Sequence, residues 1–267
     1  MHPIERLRYV ARSSGAPQDL LVRETAGALM SFADDPSGLV TACRRIVSRQ
    51  LACGSMWWLC SRMLTAPDPI SEARAAVAEI EDDTTARRLA AALPEDSSVL
   101  ALGWQSLAAN GLARRGDVEV LVADVLGEAS SFVRHLESRD VEGVEVPLSG
   151  LGAAAAEADL VILEASAWGP DAFLAVAGSR AAAAVAHHAG VPVWAVVGVG
   201  RVLPARVWDA LVDRLDTDVE RWDNDDELVP GDLVDFVIGP AGSERPEDTI
   251  RRADCPIAPE LFKRDIT

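Results

Sequence analysis

The residues best suited to chemistry gather between Asp159 and Arg201. Glu164 and Asp171 are two carboxylates seven positions apart, and paired carboxylates are the usual equipment of general acid–base catalysis. In a chain this acidic, the competing reading is that both are simply solvated. Gly178-Ser179 precedes an Ala-rich run, Arg180 to Ala189. Amides at such a helix start can hold an anion, while a serine cap explains the same pair. Trp104 and Trp168 could stack on a ring-bearing ligand or pack against other helices.

Several familiar motifs fail on inspection. Gly198-Val199-Gly200 follows an apolar run but lacks the third glycine of a dinucleotide fingerprint, so it reads as a turn. Lys263 is the only lysine, which excludes a P-loop. Ser166 has no G-x-S-x-G elbow around it. The adjacent His187-His188 point in different directions on a helix and suit a helix end better than a metal. Cys43, Cys53, Cys60 and Cys255 form no C-x-x-C pair, so they read as buried, inert thiols. No metal site and no cofactor are expected.

The elements that must position these residues can be read around them. Asp159–Glu164 is a short apolar run with β-branched residues, suited to a strand buried on both faces. Trp168-Gly169-Pro170-Asp171 is turn chemistry, Arg180–Ala189 a helix stopped by Gly190, and Val191–Val197 a second strand. Such a strand–helix–strand unit implies a right-handed parallel crossover. Ligands of such sheets bind beyond the strand carboxyl ends, here 164–171 and 198–201.

Further strands are expected at Val99–Leu102, Val118–Asp124, Val144–Leu148 and Val234–Ile238, with helices near 106–115, 129–139 and 204–214. The alternation argues for a doubly wound parallel sheet covered by helices on both faces. Residues 1–92 read as helical, with 39–64 as one long helix or two and 70–93 as one charged, Ala-rich helix. The fold class is therefore α/β: an N-terminal helical domain over 1–94 and a Rossmann-like domain over 95–267. Asp213 to Glu227 is strongly acidic and reads as a solvated loop or helix end.

The 267 residues are 49% hydrophobic, which places the chain among globular proteins. Its apolar runs are too short to span a bilayer, so no membrane partner is expected and a cytoplasmic location is. A net charge of −17, with twenty-four arginines and one lysine, disfavours nucleic acid as a partner. A high-GC genome or a salt-rich cytoplasm explains that composition without reference to function.

Taken together, several stretches resemble the initiation-factor-2B alpha/beta/delta family, which includes methylthioribose-1-phosphate and ribose-1,5-bisphosphate isomerases. Ala11–Pro17 (ARSSGAP) is similar to its Arg-Gly-Ala-Pro loop, and Ser55–Met63 (SMWWLCSRM) to its N-L-F-W-A-L-D-R-M helix. Val99–Ser106 (VLALGWQS) resembles I-L-T-H-x-x-S, and the stretch 158–201 resembles G-A-D-x-x-x-x-N-G-x-x-x-N-K-x-G-T followed by A-x-x-A-x-x-x-x-V-P. Leu228–Val234 (LVPGDLV) is similar to the closing D-x-T-P-P-E-L-I. The resemblance implies a helical domain on a Rossmann-like domain and a homodimer. It also implies a crevice for a phosphorylated small molecule (a sugar phosphate or nucleotide) touched by Arg12, Gly103, Ser106, Ser166, Gly178 and Ser179.

The departures from the family are chemical. Gly103 stands where the isomerases carry a cysteine, Ser166 where they carry an aspartate, Ala175-Val176 at the Asn-Lys pair, and Gln50-Leu51-Ala52 at Arg-Pro-Thr. Glycine and serine do not replace a thiol and a carboxylate in acid–base work at neutral pH. The resemblance therefore points to a non-catalytic or regulatory protein. An aldose–ketose isomerase with relocated groups, Glu164 and Asp171, is the alternative, and a subunit of a translation-related assembly a third reading. Arg12, Arg180 and Arg201 converging on an open crevice would favour ligand binding, and a dry, Trp-filled crevice a scaffold.

The charge itself makes a prediction. Self-repulsion among so many carboxylates reaches about 30 Å at 0.01 M salt and about 3 Å at 1 M. The melting temperature is expected to climb as salt is added, followed by circular dichroism; a flat or falling curve would show that charge does not limit stability.

Overall fold

A computed structural model describes residues 16–215 and 223–263. Among the described residues, five helices lead: α1 (Gln18–Leu29), α2 (Pro36–Arg49), α3 (Gly54–Thr65), α4 (Pro69–Glu81) and α5 (Thr85–Ala92). Two begin in the same way. Asp35 and Asp68 occupy the N-cap, each accepting backbone N–H bonds from the first turn, with a proline at the first helical position. Asp35-Pro36-Ser37-Gly38 is thus the start of α2. The single helix expected over 70–93 is two, because Asp83 interrupts it. Its carboxylate accepts from Thr85 N (2.8 Å), starting α5, and from Val199 N across the structure (2.9 Å).

Strands and helices then alternate: β1 (Ser98–Leu102), α6 (Ser106–Leu112), β2 (Glu119–Ala123), α7 (Ala129–Glu137), β3 (Glu142–Val146), α8 (Leu151–Glu157) and β4 (Leu160–Glu164). A hairpin of β5 (Ala167–Trp168) and β6 (Ala172–Val176) follows, then α9 (Ser179–Ala189), β7 (Val193–Val196), α10 (Ala205–Leu215), β8 (Asp226–Pro230), β9 (Phe236–Gly239) and β10 (Gly242–Glu244). The main sheet runs β10-β9-β7-β4-β1-β2-β3, with every pairing parallel except β10–β9. Strand order reverses between β1 and β4, so their carboxyl ends splay apart and leave a crevice. This is the Rossmann-like doubly wound sheet of the sequence expectation.

A second sheet, β5-β6-β8, is antiparallel and lies outside that expectation. Gly169-Pro170-Asp171 does turn the chain, but it joins two strands, and Ala172–Val176 pairs with Asp226–Pro230 residue for residue. The acidic run therefore ends in a strand, because β6 offers its edge to a segment about fifty residues onward. The expected strand at 144–148 lies earlier, at 142–146, paired with β2 throughout.

Three cores hold the molecule. Trp57, Trp58, Met56 and Leu59 of α3 are fully buried with residues of α1, α2 and α4. Val207, Trp208 and Leu211 of α10 and Cys255, Ala258 and Leu261 of the C-terminal stretch join that cluster. The two faces of the main sheet carry the others: α8 and α9 pack on one side, α5, α6 and α7 on the other. The four cysteines are buried and free. Burial pushes the Cys53 and Cys255 thiols up to about 12, which keeps them protonated and unreactive.

One backbone carbonyl ties two helices of the helical layer to the sheet. Ser166 O accepts from Gly54 N (2.9 Å) and from Gln18 Nε2 (3.0 Å). A Cβ on Gly54 would stand 2.9 Å from that oxygen and 3.0 Å from Ala167 Cβ, so the two layers approach as closely as glycine allows. Gly54→Ala is expected to cost about 1–3 kcal/mol of unfolding free energy, the usual range for overpacking. Urea denaturation measures it, and an unchanged midpoint would mean that the layers can slide apart freely.

Candidate functional site

The crevice at the switch point has a volume of about 750 Å³. Its floor is the loop after β1 (Trp104, Gln105, Ser106) and the end of β4 (Glu164, Ser166). One wall is the start of β8, Asp225 to Leu228, and the helical layer closes it with Pro17, Gln18 and the α2–α3 connection.

Carboxylates dominate the chemistry, and most are already engaged. Glu164 accepts from Leu107 N (2.7 Å) and Ala108 N (3.0 Å) at the start of α6 and pairs with Arg201 Nη1 at 2.8 Å. Arg201 Nη1 also donates to Ala165 O at 2.8 Å. Both side chains are nearly sealed, at 8% and 6% exposure. Such a pair tolerates burial better when further hydrogen bonds reach it, as the two amides do for Glu164 and Ala165 O does for Arg201 Nη1. Glu227 accepts from Arg180 N (2.9 Å) at the start of α9, and Glu128 from Trp104 N (2.9 Å). At each of these amides, the place an external anion would take holds a side-chain carboxylate of the protein.

Asp226 differs. It is half-buried on the crevice wall and makes no hydrogen bond or ion pair with the described residues. Burial, with Asp225 beside it, pushes its carboxyl up to about 6. Gln105 is the second unusual group. It is 5% exposed, and neither its amide oxygen nor its nitrogen has a partner. A buried amide without partners costs about 1–3 kcal/mol per group, so a position like this is rarely left idle.

The sequence-derived candidates divide. Glu164, Ser106 and Ser166 come together on the crevice floor. The Ser106 hydroxyl lies 3.4 Å from Glu164 Oε1, and the Ser166 hydroxyl donates to Leu174 O at 3.2 Å. Asp171 does not join them. It is exposed in the β5–β6 turn, where its backbone carbonyl accepts from Gly231 N. Gly103 turns the chain after β1 with φ of 51° and is not on the lining.

Gly178, at φ 92°, takes the N-cap of α9 in place of a serine, and Ser179 is the first helical residue. The Ser179 hydroxyl is fully buried and makes no capping bond. Both lie outside the crevice lining, behind the amide that Glu227 occupies. Arg12 lies outside the described residues. Arg180 is exposed at the mouth, with Arg49 also on the lining, whereas Arg201 is consumed by Glu164, so the described residues do not bring Arg180 and Arg201 together as free cations. Trp104 lines the crevice but packs on Phe132 and His135, with ring centroids 5.7 Å and 5.4 Å away. Trp168 is buried elsewhere, stacked on Phe173. The crevice is open and mixed in character, polar and apolar surface contributing about equally, and is not filled by tryptophan.

Sequence reasoning missed Asp226 and Gln105. Asp226 sits inside an acidic run whose members look alike until β8 pairs with β6. Gln105 carries no motif, and its only signal is its place directly after the first strand of a doubly wound sheet.

The fold is that of translation initiation factor eIF-2B proteins. The crystal structure of eIF-2B from Pyrococcus horikoshii OT3 superposes with a TM-score of 0.79 at 16% identity, covering 93% of this chain and 98% of that one. The tetrameric eIF2B-beta2-delta2 complex from C. thermophilum gives 0.76 at 17%, covering 93% and 92%. eIF2B beta from Chaetomium thermophilum gives 0.71 at 16%, covering 97% and 91%. No protein-family model and no curated protein sequence matches the chain.

The Glu164 geometry predicts a structural penalty on mutation. Glu164→Gln leaves a buried guanidinium without its countercharge, which typically costs about 3–5 kcal/mol. Chemical denaturation is expected to show that loss. A change below about 1 kcal/mol, the scale of an exposed pair, would mean that the pair is solvated.

Proposed function

We propose that this chain is a divergent relative of the eIF2B alpha, beta and delta subunits that has given up isomerase chemistry and works as a non-catalytic, regulatory scaffold. The observation that carries the reading is the state of the crevice floor. Ser166 on the floor and Gly103, which lies off the lining, supply neither carboxylate nor thiol, and Glu164 is fixed on two amides and an arginine. A proton shuttle between neighbouring sugar carbons needs a carboxylate free to reach about 2.6–3.2 Å from the reacting hydrogen's carrier. Glu164 has both oxygens committed. Glu227 at the α9 amide likewise supports a crevice that no longer takes a phosphate.

Self-association belongs to the same proposal. Leu126, Val144 and Leu148 are large apolar residues more than a third exposed, and they lie on or just beyond the paired strands β2 and β3. A homodimer covering them suits a cytoplasmic scaffold of this fold. The tetrameric composition of the C. thermophilum eIF2B complex favours a second reading, in which the chain is one subunit of a larger assembly.

The test is to incubate the protein with ribose-1,5-bisphosphate and with methylthioribose-1-phosphate and follow ketose formation by NMR. No turnover is expected, since loss of general acid–base groups costs roughly 10²–10⁴ in rate for each. Turnover abolished by Glu164→Gln, in a variant that remains folded, would establish a relocated active site. Sedimentation at micromolar concentration reads the assembly, and a monomer would count against the scaffold.

A further inference from the structure

The crevice retains the dimensions of a small-molecule site, within the roughly 300–1,000 Å³ that such sites occupy, while its anion-binding positions are filled from within. Glu227 holds the α9 amide, Glu164 the α6 amides and Glu128 the Trp104 amide. An incoming phosphate would have to displace a carboxylate already bonded, against the field of Asp225 and Asp226. Apart from the Arg49 and Arg180 guanidiniums at the rim, what remains unmatched is of the opposite character: the half-buried carboxylate of Asp226, and a buried amide, Gln105, with both a donor and an acceptor to spare.

We infer that the crevice binds a small organic cation, an alkyl amine or guanidinium, seated against the carboxylate of Asp226 with Gln105 hydrogen-bonding its polar remainder. The inference deepens, and rests on, the reading of this crevice as a site that has lost phosphate chemistry. Three physical features support it. Asp226 is already partly desolvated, so a cation gains more from it than from a carboxylate in open water. Gln105, sealed on the floor next to Ser106, is independent of the acidic wall and has a hydrogen-bonding need that the described residues leave unmet. Glu128, Glu164 and Glu227 keep the field negative while lending their own oxygens to protein donors.

The charges that bear on Asp226 define its pH response. Asp225, just before β8, and Glu227, on it, flank the residue, and the buried Cys53 thiol lies within reach of its charge. Glu128, Glu164, Arg49, Arg180 and Arg201 line the same crevice. With its carboxyl near pH 6, Asp226 is largely ionised at pH 7 and largely protonated at pH 5. The amine stays charged throughout, so affinity is expected to weaken about tenfold between those two values.

The probe is agmatine, which carries an amine and a guanidinium, titrated calorimetrically into the full chain at 0.15 M salt. Inorganic phosphate and ribose 5-phosphate serve as anionic comparators. Because any acidic protein attracts amines loosely, Asp226→Asn is compared with Asp171→Asn, which removes the same charge from an exposed turn. One saturable site is expected in the wild type and in Asp171→Asn, at least tenfold weaker in Asp226→Asn, with the anions silent. Equal binding by both variants, no saturable agmatine site, or phosphate binding in place of the amine would each overturn the inference. Turnover of a sugar phosphate would instead strike the scaffold reading, so the two failures are told apart.

Discussion

The Glu164–Arg201 pair is the interaction on which the crevice depends. One carboxylate at the end of β4 caps the first turn of α6, and its arginine partner comes from the loop after β7 and also binds Ala165 O. Three segments far apart in sequence thus meet at the switch point of the sheet. Parallel strands splay there, and without a fixed pair the loops beyond β1, β4 and β7 would have no common anchor. The two α6 amides on Glu164 and the Ala165 carbonyl on Arg201 Nη1 offset part of the cost of burying the pair.

The same economy of carboxylates shapes the rest of the site. Doubly wound sheets point helix N-termini at their crevice, which ordinarily makes it a phosphate receptor. In this chain, Glu227 and Glu164 satisfy those amides internally, and Asp83 does so at α5. A high surface density of acids makes such replacements easy, since a carboxylate is rarely far from an exposed amide.

The helical layer contributes enclosure more than chemistry. It closes over the crevice because Gly54 lets α3 begin against Ser166 O, and because Gln18 bridges that oxygen to Ser55 N. Trp58 binds Asp254 through its indole N–H, tying the C-terminal stretch to the same helix. Residues from both ends of the chain therefore fix the roof over the strand ends.

The sequence by itself determined the alternation of short apolar strands with helices, the parallel sheet, and the strand ends as the place for a site. These follow from local period and from the handedness of crossovers, which neighbouring residues encode. It also placed Glu164, Ser106 and Ser166 near that site. Only the tertiary structure decided what each carboxylate does. Glu164 meets an arginine 37 residues away, and Glu227 an amide 47 residues away. The β6–β8 pairing that lifts Asp226 out of an undistinguished acidic run spans a similar distance. A carboxylate's role depends on whether it finds a donor, and donors that arrive from distant segments leave no mark in the residues around it.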